Sequence, residues 1–444
     1  MESEIRTFRY EDGEIQRVQI VRPGDWESLS FLRPEPSVRA FEQFCYIYEN
    51  FIVAAFPWIF GRLVLFRLPE GMEVPGGSAD REFGEISDPY IAASVLLRRG
   101  VRIGKEGPVF RDERTRRFWK ALEERNCLRV VRGKRSNTKI IAVPDRCGFL
   151  SESATEARMK CNTSFFIMDF IDTATPYDLL GTPVGLCVKD GEILLPAMYG
   201  REALLVTDRG VSVRKMNIRD MKIRIGDWEV PGEALYCRPD RKTTPRWNGD
   251  DLVVVGRQVV AVHHGGGTAI PSSGFVVRSP EGGRFSPGDP VFYAGMEDVK
   301  FGIQAGNSAV VDGKMTEKFI SPFYDFRKFW KEYSYPPGMY PLKYDRDRAA
   351  RMAIGADSAG KPVIVWAEGA GKFGYRKGEE SCGATLMEMA EICREAGMEN
   401  GVNLDGGGSA QILIGGRRSL LISDRDRETN RDLERAVPLG LAVL

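Results

Sequence analysis

Histidine is almost absent from the 444-residue sequence, which contains only the adjacent pair His263 and His264. A Ser–His–Asp triad or a histidine-rich metal centre would have to use this one dipeptide, so both kinds of site are disfavoured. Three glycines, residues 265–267, follow the pair. They favour a surface hairpin tip at this position over a metal site or an acid–base site.

Cysteine pairs of the metal-binding or redox type are missing as well. None of the eight cysteines is spaced as Cys-x-x-Cys, which argues against a zinc ribbon or a thioredoxin-like centre. Most of them lie in apolar or strand-like contexts, such as Leu186-Cys187-Val188, and are predicted to be buried free thiols rather than disulfides. The sequence therefore predicts neither a metal site nor a cofactor.

Long apolar runs are also lacking. The most apolar stretch, residues 51–66, contains Pro57, Gly61 and Arg62 and is shorter than the ~20 residues of a membrane-spanning helix, so it is predicted to be a core segment. Residues 1–19 lack the apolar segment of a signal peptide. The sequence therefore predicts no transmembrane segment and a cytoplasmic location, unless the protein leaves by an unrecognised export route.

Neither charge is in excess, because 63 Lys and Arg residues face 62 Asp and Glu residues. A near-neutral chain lacks the overall field that would steer nucleic acid toward it. The one basic run, residues 129–139, has no interleaved aromatic side chains on which bases could stack, which favours a solvated turn before a strand. No nucleic-acid partner is predicted.

Turn-forming residues, by contrast, are abundant. Glycine accounts for 48 of the 444 residues, about 11% against a typical ~7%, which indicates many tight turns and many short strands. Residues 252–255 and 258–262 flank Gly256-Arg257 and predict a tight hairpin. Residues 320–345 are rich in aromatics and broken by four prolines, so they are predicted to form a long loop over the core.

The two parts of the chain differ in pattern. Residues 1–150 carry the clearer helical spacing, as in residues 112–127, and are predicted to be a partly helical N-terminal region of unknown role. Residues 151–444 consist of strand and glycine-turn patterns and are predicted to be a second domain. The expected fold class is α/β (mixed α+β), with strand-rich mixed sheets and a few packed helices.

One segment of the second domain combines several local signals. Thr385 and Glu388 have the spacing of a capping box, and an apolar stripe from Leu386 to Cys393 predicts an amphipathic helix after them. A short strand ending at Leu404 follows, then a glycine-rich loop, then a strand over residues 410–414. The predicted order is helix, strand, acidic glycine loop, strand.

The glycine-rich loop is Asp405-Gly406-Gly407-Gly408-Ser409. Residues without a Cβ can adopt positive φ and let the backbone approach a ligand closely, and successive N–H groups can converge on an anion. Asp405 would place a carboxylate beside that concavity, and Ser409 would add a hydroxyl. The alternative is a wide turn that Asp405 caps.

The segment Asn403 to Ser409 resembles the signature of the phosphodiester glycosidase family, and other segments resemble further elements of that family in the same order. These segments are residues 162–166, 182–191, 270–276, 305–314 (with Asn307 where the family usually has proline), 351–355 and 434–435. The resemblance spans residues 160–444, approximately, and leaves the first 150 residues unassigned.

This resemblance implies a hydrolase that cleaves a sugar from a phosphodiester at the anomeric carbon. The chemistry needs a carboxylate at the oxocarbenium-like centre and donors for the phosphate. The predicted catalytic carboxylates are Asp405, Glu434 and Glu368. The predicted substrate-binding residues are Asn162, Arg351, Gly406, Gly407, Gly408, Ser409 and Arg435.

Each of these assignments has a structural alternative. Glu434 and Arg351 could serve only in ion pairs, Asn162 could be a turn or cap residue, and Phe165 and Phe166 could belong to the core. The alternative function is a non-catalytic binding or assembly module for an anionic polysaccharide or phosphoglycan. The sugar, the stereochemical outcome and the oligomeric state remain open at this point.

Overall fold

The architecture is taken from a computed structural model of the chain. It describes residues 1–55, 61–75, 79–80, 84–154, 156–168, 172–238, 240–316, 347–370, 375–426 and 428–444. The predicted long loop at residues 320–345 lies outside the described residues.

Four helices of eight or more residues occur among the described residues, and each amphipathic face packs on a sheet or on another helix. They are α1 (Val38–Ile47), α2 (Pro89–Gly100), α3 (Glu113–Glu124) and α4 (Leu386–Glu395). A π-helical turn, Tyr48–Ile52, continues α1.

The strands of the described residues, in chain order, are β1 (Glu2–Arg9), β2 (Ile15–Arg22), β3 (Leu29–Leu32), β4 (Arg62–Phe66), β5 (Ala79–Asp80), β6 (Gly84–Glu85), β7 (Val101–Ile103), β8 (Pro108–Phe110), β9 (Leu128–Arg132), β10 (Thr138–Ala142), β11 (Met159–Asn162), β12 (Cys187–Lys189), β13 (Glu192–Leu195), β14 (Arg201–Thr207), β15 (Gly210–Met216), β16 (Lys222–Ile225), β17 (Trp228–Glu229), β18 (Leu235–Tyr236), β19 (Arg246–Val255), β20 (Gln258–Gly266), β21 (Gly274–Ser279), β22 (Val291–Ala294), β23 (Val299–Gln304), β24 (Ser308–Val311), β25 (Lys314–Met315), β26 (Arg351–Asp357), β27 (Pro362–Ala367), β28 (Met398–Asn403), β29 (Ile412–Ile414) and β30 (Gly440–Val443).

These strands correct the predicted fold class. Among the described residues, 40% lie in strands and 15% in helices, and the strands form many small sheets. The predicted mixed α/β class with a helical N-terminal region is therefore wrong, and the described part of the first 150 residues alone contains β1 to β10. Strands of two to five residues leave little periodicity in a sequence, whereas an amphipathic helix such as α3 is conspicuous.

The largest sheet carries the candidate site. Its seven strands lie in the order β1-β2-β27-β26-β28-β24-β25, and every neighbouring pair is antiparallel. Helix α4 covers one face of this sheet with Leu386, Met389 and Cys393, all of them buried. Met352 and Trp366, on β26 and β27, belong to the buried core on the other side.

The ends of the chain meet in two sheets. Strand β2 pairs with β27 through Val18 and Ala367, and β3 pairs with β30 through Leu29 and Val443. The two sheets therefore combine strands from both sides of residue 150. The predicted domain division at that residue stays a prediction.

Several local predictions are confirmed. Helix α4 begins with the expected capping box: the Thr385 hydroxyl accepts from Glu388 N–H at 3.1 Å, and the Glu388 carboxylate accepts from Thr385 N–H at 2.8 Å. Helix α3 occupies the region predicted at residues 112–127, and β19 and β20 form the hairpin around Gly256. All eight cysteines are buried and free. No helix of the described residues is long and apolar enough to cross a membrane.

Candidate functional site

The candidate site lies at one edge of the seven-stranded sheet. Because β26 runs antiparallel to both of its neighbours, its first residue lies beside the ends of β27 and β28. In the register, Arg351 faces Ala367 on β27, and Ala353 faces Asn403 on β28. The residues that continue from these ends, Glu368 and Asp405, therefore emerge at the same edge as Arg351.

Backbone hydrogen bonds fix the loop of residues 405–409, called the glycine loop below. The N–H of Asp405 donates to the carbonyl of Thr163 at 2.8 Å, and the N–H of Gly407 donates to the carbonyl of Ala350 at 2.8 Å. The first bond ties the loop to the segment after β11, and the second ties it to the residue before β26. The loop therefore has a defined position between two sheets.

The side chain of Asn162 hydrogen-bonds to the backbone at the start of the glycine loop and just beyond its end. Its side-chain Nδ2 donates to the carbonyl of Asp405 at 2.6 Å, and its Oδ1 accepts from the N–H of Gln411 at 3.1 Å. The residue is 1% exposed. Asn162 thus connects the two ends of the loop, a contact that fits the structural alternative; its predicted role as a sugar ligand stays a prediction.

Two glycines of the loop are needed for close approach. A Cβ on Gly408 would overlap Asp424 Oδ2 and Arg435 Nη2, and a Cβ on Gly406 would lie 2.7 Å from the carbonyl oxygen of Ala350. Gly407 has a φ of +59°, a conformation that L side chains rarely adopt. Close packing and backbone conformation therefore require these three glycines, independently of the predicted anion binding.

Two of the backbone N–H groups predicted to bind an anion are already hydrogen-bonded within the protein. The N–H of Gly407 bonds to Ala350, and the N–H of Ser409 donates to the carbonyl of Gly406 at 3.2 Å. The loop therefore offers fewer convergent N–H groups than its sequence suggests. Gly406 and Gly407 are nevertheless partly exposed, beside Asp405.

Asp405 has the chemical character of a catalytic carboxylate. Burial of the carboxyl group raises its pKa from 3.8 to about 6, against the opposing effects of the Ser409 hydroxyl, the Arg435 guanidinium and the N–H of Gly406. The residue keeps some exposed surface, whereas Ser409 is fully buried. A carboxylate whose pKa lies near neutral pH, on a residue that keeps some exposed surface, is suited to acid–base or nucleophilic chemistry.

Arg435 lies directly behind the glycine loop. Its Nε and Nη2 both donate to Asp424 Oδ2, at 3.0 and 2.6 Å, and its Nη1 lies 3.4 Å from the sulfur of Met168. The side chains of Arg435 and Asp424 are 6% and 2% exposed. This buried pair places a cation near enough to Asp405 to lower its pKa. The predicted role of Arg435 in binding substrate stays a prediction.

The guanidinium of Arg351 is bound to backbone carbonyls. Its Nε donates to the carbonyl of Ala384 at 2.9 Å, and its Nη2 donates to the carbonyl of Asp347 at 3.0 Å. The residue is buried. These bonds attach the start of β26 to the segment that leads into α4, which is a structural role. The predicted role of Arg351 in phosphate binding stays a prediction.

Glu368 is also held by the protein. Its Oε1 accepts from the N–H of Leu421 at 2.6 Å, its Oε2 accepts from the Ser381 hydroxyl, and Arg17 lies 3.9 Å away. The side chain is 3% exposed. Glu368 therefore joins β2, β27 and the C-terminal segment, and its predicted catalytic role stays a prediction.

Glu434 forms an ion pair, the structural alternative that the sequence left open, with an arginine sixteen residues earlier in the chain. Its Oε2 accepts from Arg418 Nη1 at 2.9 Å, and its Oε1 accepts from the N–H of Ser151 at 3.0 Å. Arg418 also donates to Gln411 Oε1 at 2.9 Å. Both oxygens of Glu434 are thus occupied by structural partners.

We expect Glu434→Gln to keep the rate of any sugar release within about threefold while lowering stability by about 1–2 kcal/mol, because the variant loses a half-buried ion pair but no reacting group. Activity and urea unfolding should be measured together. Arg418→Gln serves as the matched control and should show the same loss of stability. A loss of activity of 100-fold or more for Glu434→Gln alone would contradict this structural role.

Asp424 is a site residue that the sequence analysis missed. It begins the mixed-charge run that resembles a solvated loop, eleven residues before Arg435 in the sequence. A bridge between Arg425 and Asp432 folds the run back on itself, and the N–H of Leu433 donates to the carbonyl of Asp424. No residue spacing in the sequence signals such a return.

The two histidines do not form the predicted hairpin tip. His263 and His264 lie within β20, opposite Asp251 and Asp250 of β19. The Nδ1 of His264 is 3.1 Å from Asp250 Oδ1. Among the described residues, no group of three or more His, Cys, Asp or Glu side chains is arranged to hold a metal ion.

Comparison with known proteins gives one family and short matches to its members. A model of the phosphodiester glycosidase family matches residues 249–444. The N-acetylglucosamine-1-phosphodiester alpha-N-acetylglucosaminidase of Mus musculus is 35% identical over 82 residues, 18% of this chain and 14% of that protein. Its Homo sapiens counterpart is 38% identical over 76 residues, 17% of this chain and 13% of that protein. The matched segment is thus a small part of those relatives.

Solved structures are similar at low sequence identity. A hypothetical protein from Synechocystis is 15% identical with a TM-score of 0.41, covering 99% of this chain and 61% of that one. The zebrafish catalytic domain of the same enzyme type, auto-inhibited by its pro-peptide, is 12% identical with a TM-score of 0.37, covering 100% and 82%. TM-scores below 0.5 do not define the fold of this chain.

The family match covers a narrower range than the sequence motifs, since those before residue 249 lie outside it. It includes the glycine loop, Arg351, Glu368 and the Asp424–Arg435 pair. The phosphodiester glycosidase family model thus matches residues 249–444, and over this range it confirms the resemblance that the sequence predicted.

Proposed function

We propose that the protein hydrolyses a sugar 1-phosphodiester, with the Asp405 carboxylate acting at the anomeric carbon. The observation that carries this proposal is the placement of Asp405. Asp405 is a partly exposed residue of the glycine loop, and its carboxyl, with a pKa raised by burial to about 6, interacts with the buried guanidinium of Arg435. The relatives named above act on an N-acetylglucosamine 1-phosphodiester, which makes that sugar the first substrate to test.

The reaction breaks the bond between C1 of the sugar and the phosphodiester oxygen. The electron pair of that bond leaves with the phosphomonoester, so the leaving group needs little help from an acid. A water molecule supplies the new C1–OH. Asp405 either accepts a proton from that water, which inverts C1, or forms a glycosyl ester that water then hydrolyses, which retains it.

The pH dependence follows from the raised pKa of Asp405. Both routes need the ionised carboxylate, so kcat/KM should fall about tenfold per pH unit below pH 6 and level off above it. The control is a circular dichroism spectrum at each pH, which should stay constant over the range used. A rate that rises as the pH falls below 6 would mean that the protonated carboxyl acts, and would contradict this role.

The test of the function itself is product release. Purified protein is incubated with methyl N-acetylglucosamine 1-phosphodiester, and free sugar and methyl phosphate are quantified. Equimolar release of both products is the expected result. No product after long incubation with stoichiometric protein would contradict the proposal.

The alternative function, a binding module for an anionic polysaccharide or phosphoglycan, is favoured by one observation. Three predicted site residues, Arg351, Glu368 and Glu434, are engaged in contacts within the protein. A non-catalytic module would bind a sugar phosphate, as measured by calorimetry, without turnover. Binding with no release would support this alternative.

A further inference from the structure

The buried ion pair of Asp424 and Arg435 packs directly against the glycine loop, although it comes from a later part of the chain. A Cβ on Gly408 would overlap both Asp424 Oδ2 and Arg435 Nη2, so the loop backbone touches both partners. Gly408 is only three residues beyond Asp405. The pair is therefore part of the packing that holds the loop and its candidate carboxylate.

The backbone on both sides of Arg435 is fixed by one residue of α1. The side-chain Nε2 of Gln43 donates to the carbonyl of Glu434, and its Oε1 accepts from the N–H of Ala436 at 2.8 Å. Gln43 is buried. Arg435 therefore extends from a short segment whose position helix α1 sets.

Asp424 is fixed independently of its contact with Arg435. The N–H of Leu433 donates to the carbonyl of Asp424 at 3.0 Å, and the side chain of Arg425 pairs with Asp432 across the same return of the chain. Asp424 Oδ2 then accepts from Arg435 Nε and Nη2, at 3.0 and 2.6 Å. Contacts outside the pair thus hold each partner in place, and the two hydrogen bonds set the direction of the guanidinium.

A fixed cation against the loop affects the ionisation of Asp405. Burial raises the pKa of Asp405, and the Ser409 hydroxyl, the Arg435 guanidinium and the Gly406 N–H oppose that rise. Asp424 carries the opposite charge and is bound to the same guanidinium, so it reduces the positive field that reaches Asp405. The ionisation of Asp405 therefore depends on the balance between these two charges.

The charged residues on the neighbouring strands are held in other contacts. Arg351 of β26 donates to two backbone carbonyls, at 2.9 and 3.0 Å. Glu368, after β27, accepts from the Ser381 hydroxyl and from a backbone N–H, and Arg17 lies 3.9 Å from it. Among the charged side chains, the one that opposes the rise in the pKa of Asp405 is Arg435.

From these contacts we infer that Arg435 and Asp424 are positioning residues, which hold a partly balanced charge against the glycine loop and thereby control the ionisation of Asp405. The inference rests on the proposed function. It assigns a role to Asp424, and it gives Arg435 a role that differs from the substrate contact predicted from the sequence. In this role the guanidinium acts on the carboxylate of the enzyme rather than on the phosphate of the substrate.

The experiment measures the pH at which kcat/KM for methyl N-acetylglucosamine 1-phosphodiester reaches half of its plateau. Asp424→Asn leaves the positive charge unbalanced, so this midpoint should fall below pH 6 by about half to one unit. The double variant Asp424→Asn/Arg435→Gln removes both charges, and its midpoint should rise above that of the wild type. Arg418→Gln is the matched control, since it breaks the ion pair with Glu434 and should keep the wild-type midpoint.

Inhibition by methyl phosphate separates this role from substrate binding. A positioning role predicts an inhibition constant within about threefold of the wild type in the double variant. A rise of tenfold or more with an unmoved midpoint would show that Arg435 binds the phosphate, and would overturn the inference. Midpoints equal to that of the wild type in both folded variants would overturn it as well.

The double variant keeps the test decisive if Asp424→Asn does not fold, because it leaves neither buried charge without its partner. An inactive wild type would end the proposed function alone, and urea unfolding at pH 7.5 would then decide the inference. Asp405→Asn is added to the wild type, to Asp424→Asn and to the double variant. The stability that it adds should be smallest with Asp424→Asn and largest with the double variant, and equal gains in all backgrounds that fold would overturn the inference.

Discussion

Asp405→Asn is expected to abolish sugar release and, at the same time, to make the folded protein more stable at neutral pH. The loss of activity should reach 10²- to 10⁴-fold or more, because asparagine can neither accept a proton nor form a glycosyl ester. The residue keeps nearly the same shape. Asn162 and Thr163 bond to the backbone of residue 405 and are therefore unaffected.

The gain in stability follows from the pKa of Asp405. Burial raises it from 3.8 to about 6 in the folded state, so the unfolded chain loses this proton more readily than the folded one. The free energy of unfolding is therefore lowered by this group: the loss is absent below about pH 4, grows between pH 4 and 6, and is complete above pH 6. Removing the charge should therefore add about 1–3 kcal/mol at pH 7.5 and nothing at pH 4.

Urea unfolding of the wild type and Asp405→Asn at both pH values measures this difference. Asp424→Asn is the matched control, because the same substitution there leaves Arg435 buried without its counter-ion and should destabilise the protein at pH 7.5. If Asp405 were only a turn cap, Asp405→Asn would lower stability at pH 7.5 and keep activity. That outcome would contradict the assignment.

Gly408→Ala is the second substitution with a large expected effect. Its methyl group would overlap Asp424 Oδ2 and Arg435 Nη2, so the buried ion pair has to separate or the glycine loop has to move. Breaking such a pair costs about 3–5 kcal/mol, and displacement of the loop would also remove activity. The expected result is therefore a less stable and inactive protein.

Gly232→Ala provides the control for this substitution. Gly232 begins the short helical turn Gly232–Ala234, and a Cβ there would contact nothing within 4 Å. Thermal unfolding and sugar release should remain close to those of the wild type. Gly408→Ala with wild-type stability and activity would show that the loop does not depend on close packing against Asp424 and Arg435.

Local parts of the site could be predicted because their signals are short in sequence. The capping box of α4 needs only Thr385 and Glu388, and the strand, loop and strand that follow have the expected order. Asp405 and Arg435 could be selected from the family resemblance, and the structure brings them together. These predictions depend on residues whose neighbours in space are either nearby in sequence or part of a shared motif.

The partners of the other polar residues could not be predicted. Arg351 bonds to backbone carbonyls, which every residue possesses and which therefore leave no mark in a sequence. Glu434 pairs with Arg418, sixteen residues away, and Asp424 reaches Arg435 through a return of the chain. Such contacts are decided by the fold, so the residue types alone leave a catalytic and a structural role equally open.

The fold class was harder to predict for the same reason. Most strands are short, and their pairing joins distant segments, such as β2 with β27 and β3 with β30. A pairing between the first and last parts of a chain has no local pattern, whereas helices such as α3 are visible in one stretch. The helical patterns in residues 1–150 therefore led to a prediction of a partly helical region, because the strands there become evident only from the complete fold.

The most direct test of the central claim is the fate of oxygen from water. Methyl N-acetylglucosamine 1-phosphodiester is incubated with the wild type in water enriched in ¹⁸O, and both products are analysed by mass spectrometry. Cleavage at the anomeric carbon with Asp405 predicts ¹⁸O in the sugar and none in methyl phosphate. Label in a phosphorus product would mean that the phosphorus–oxygen bond is broken and would contradict the account.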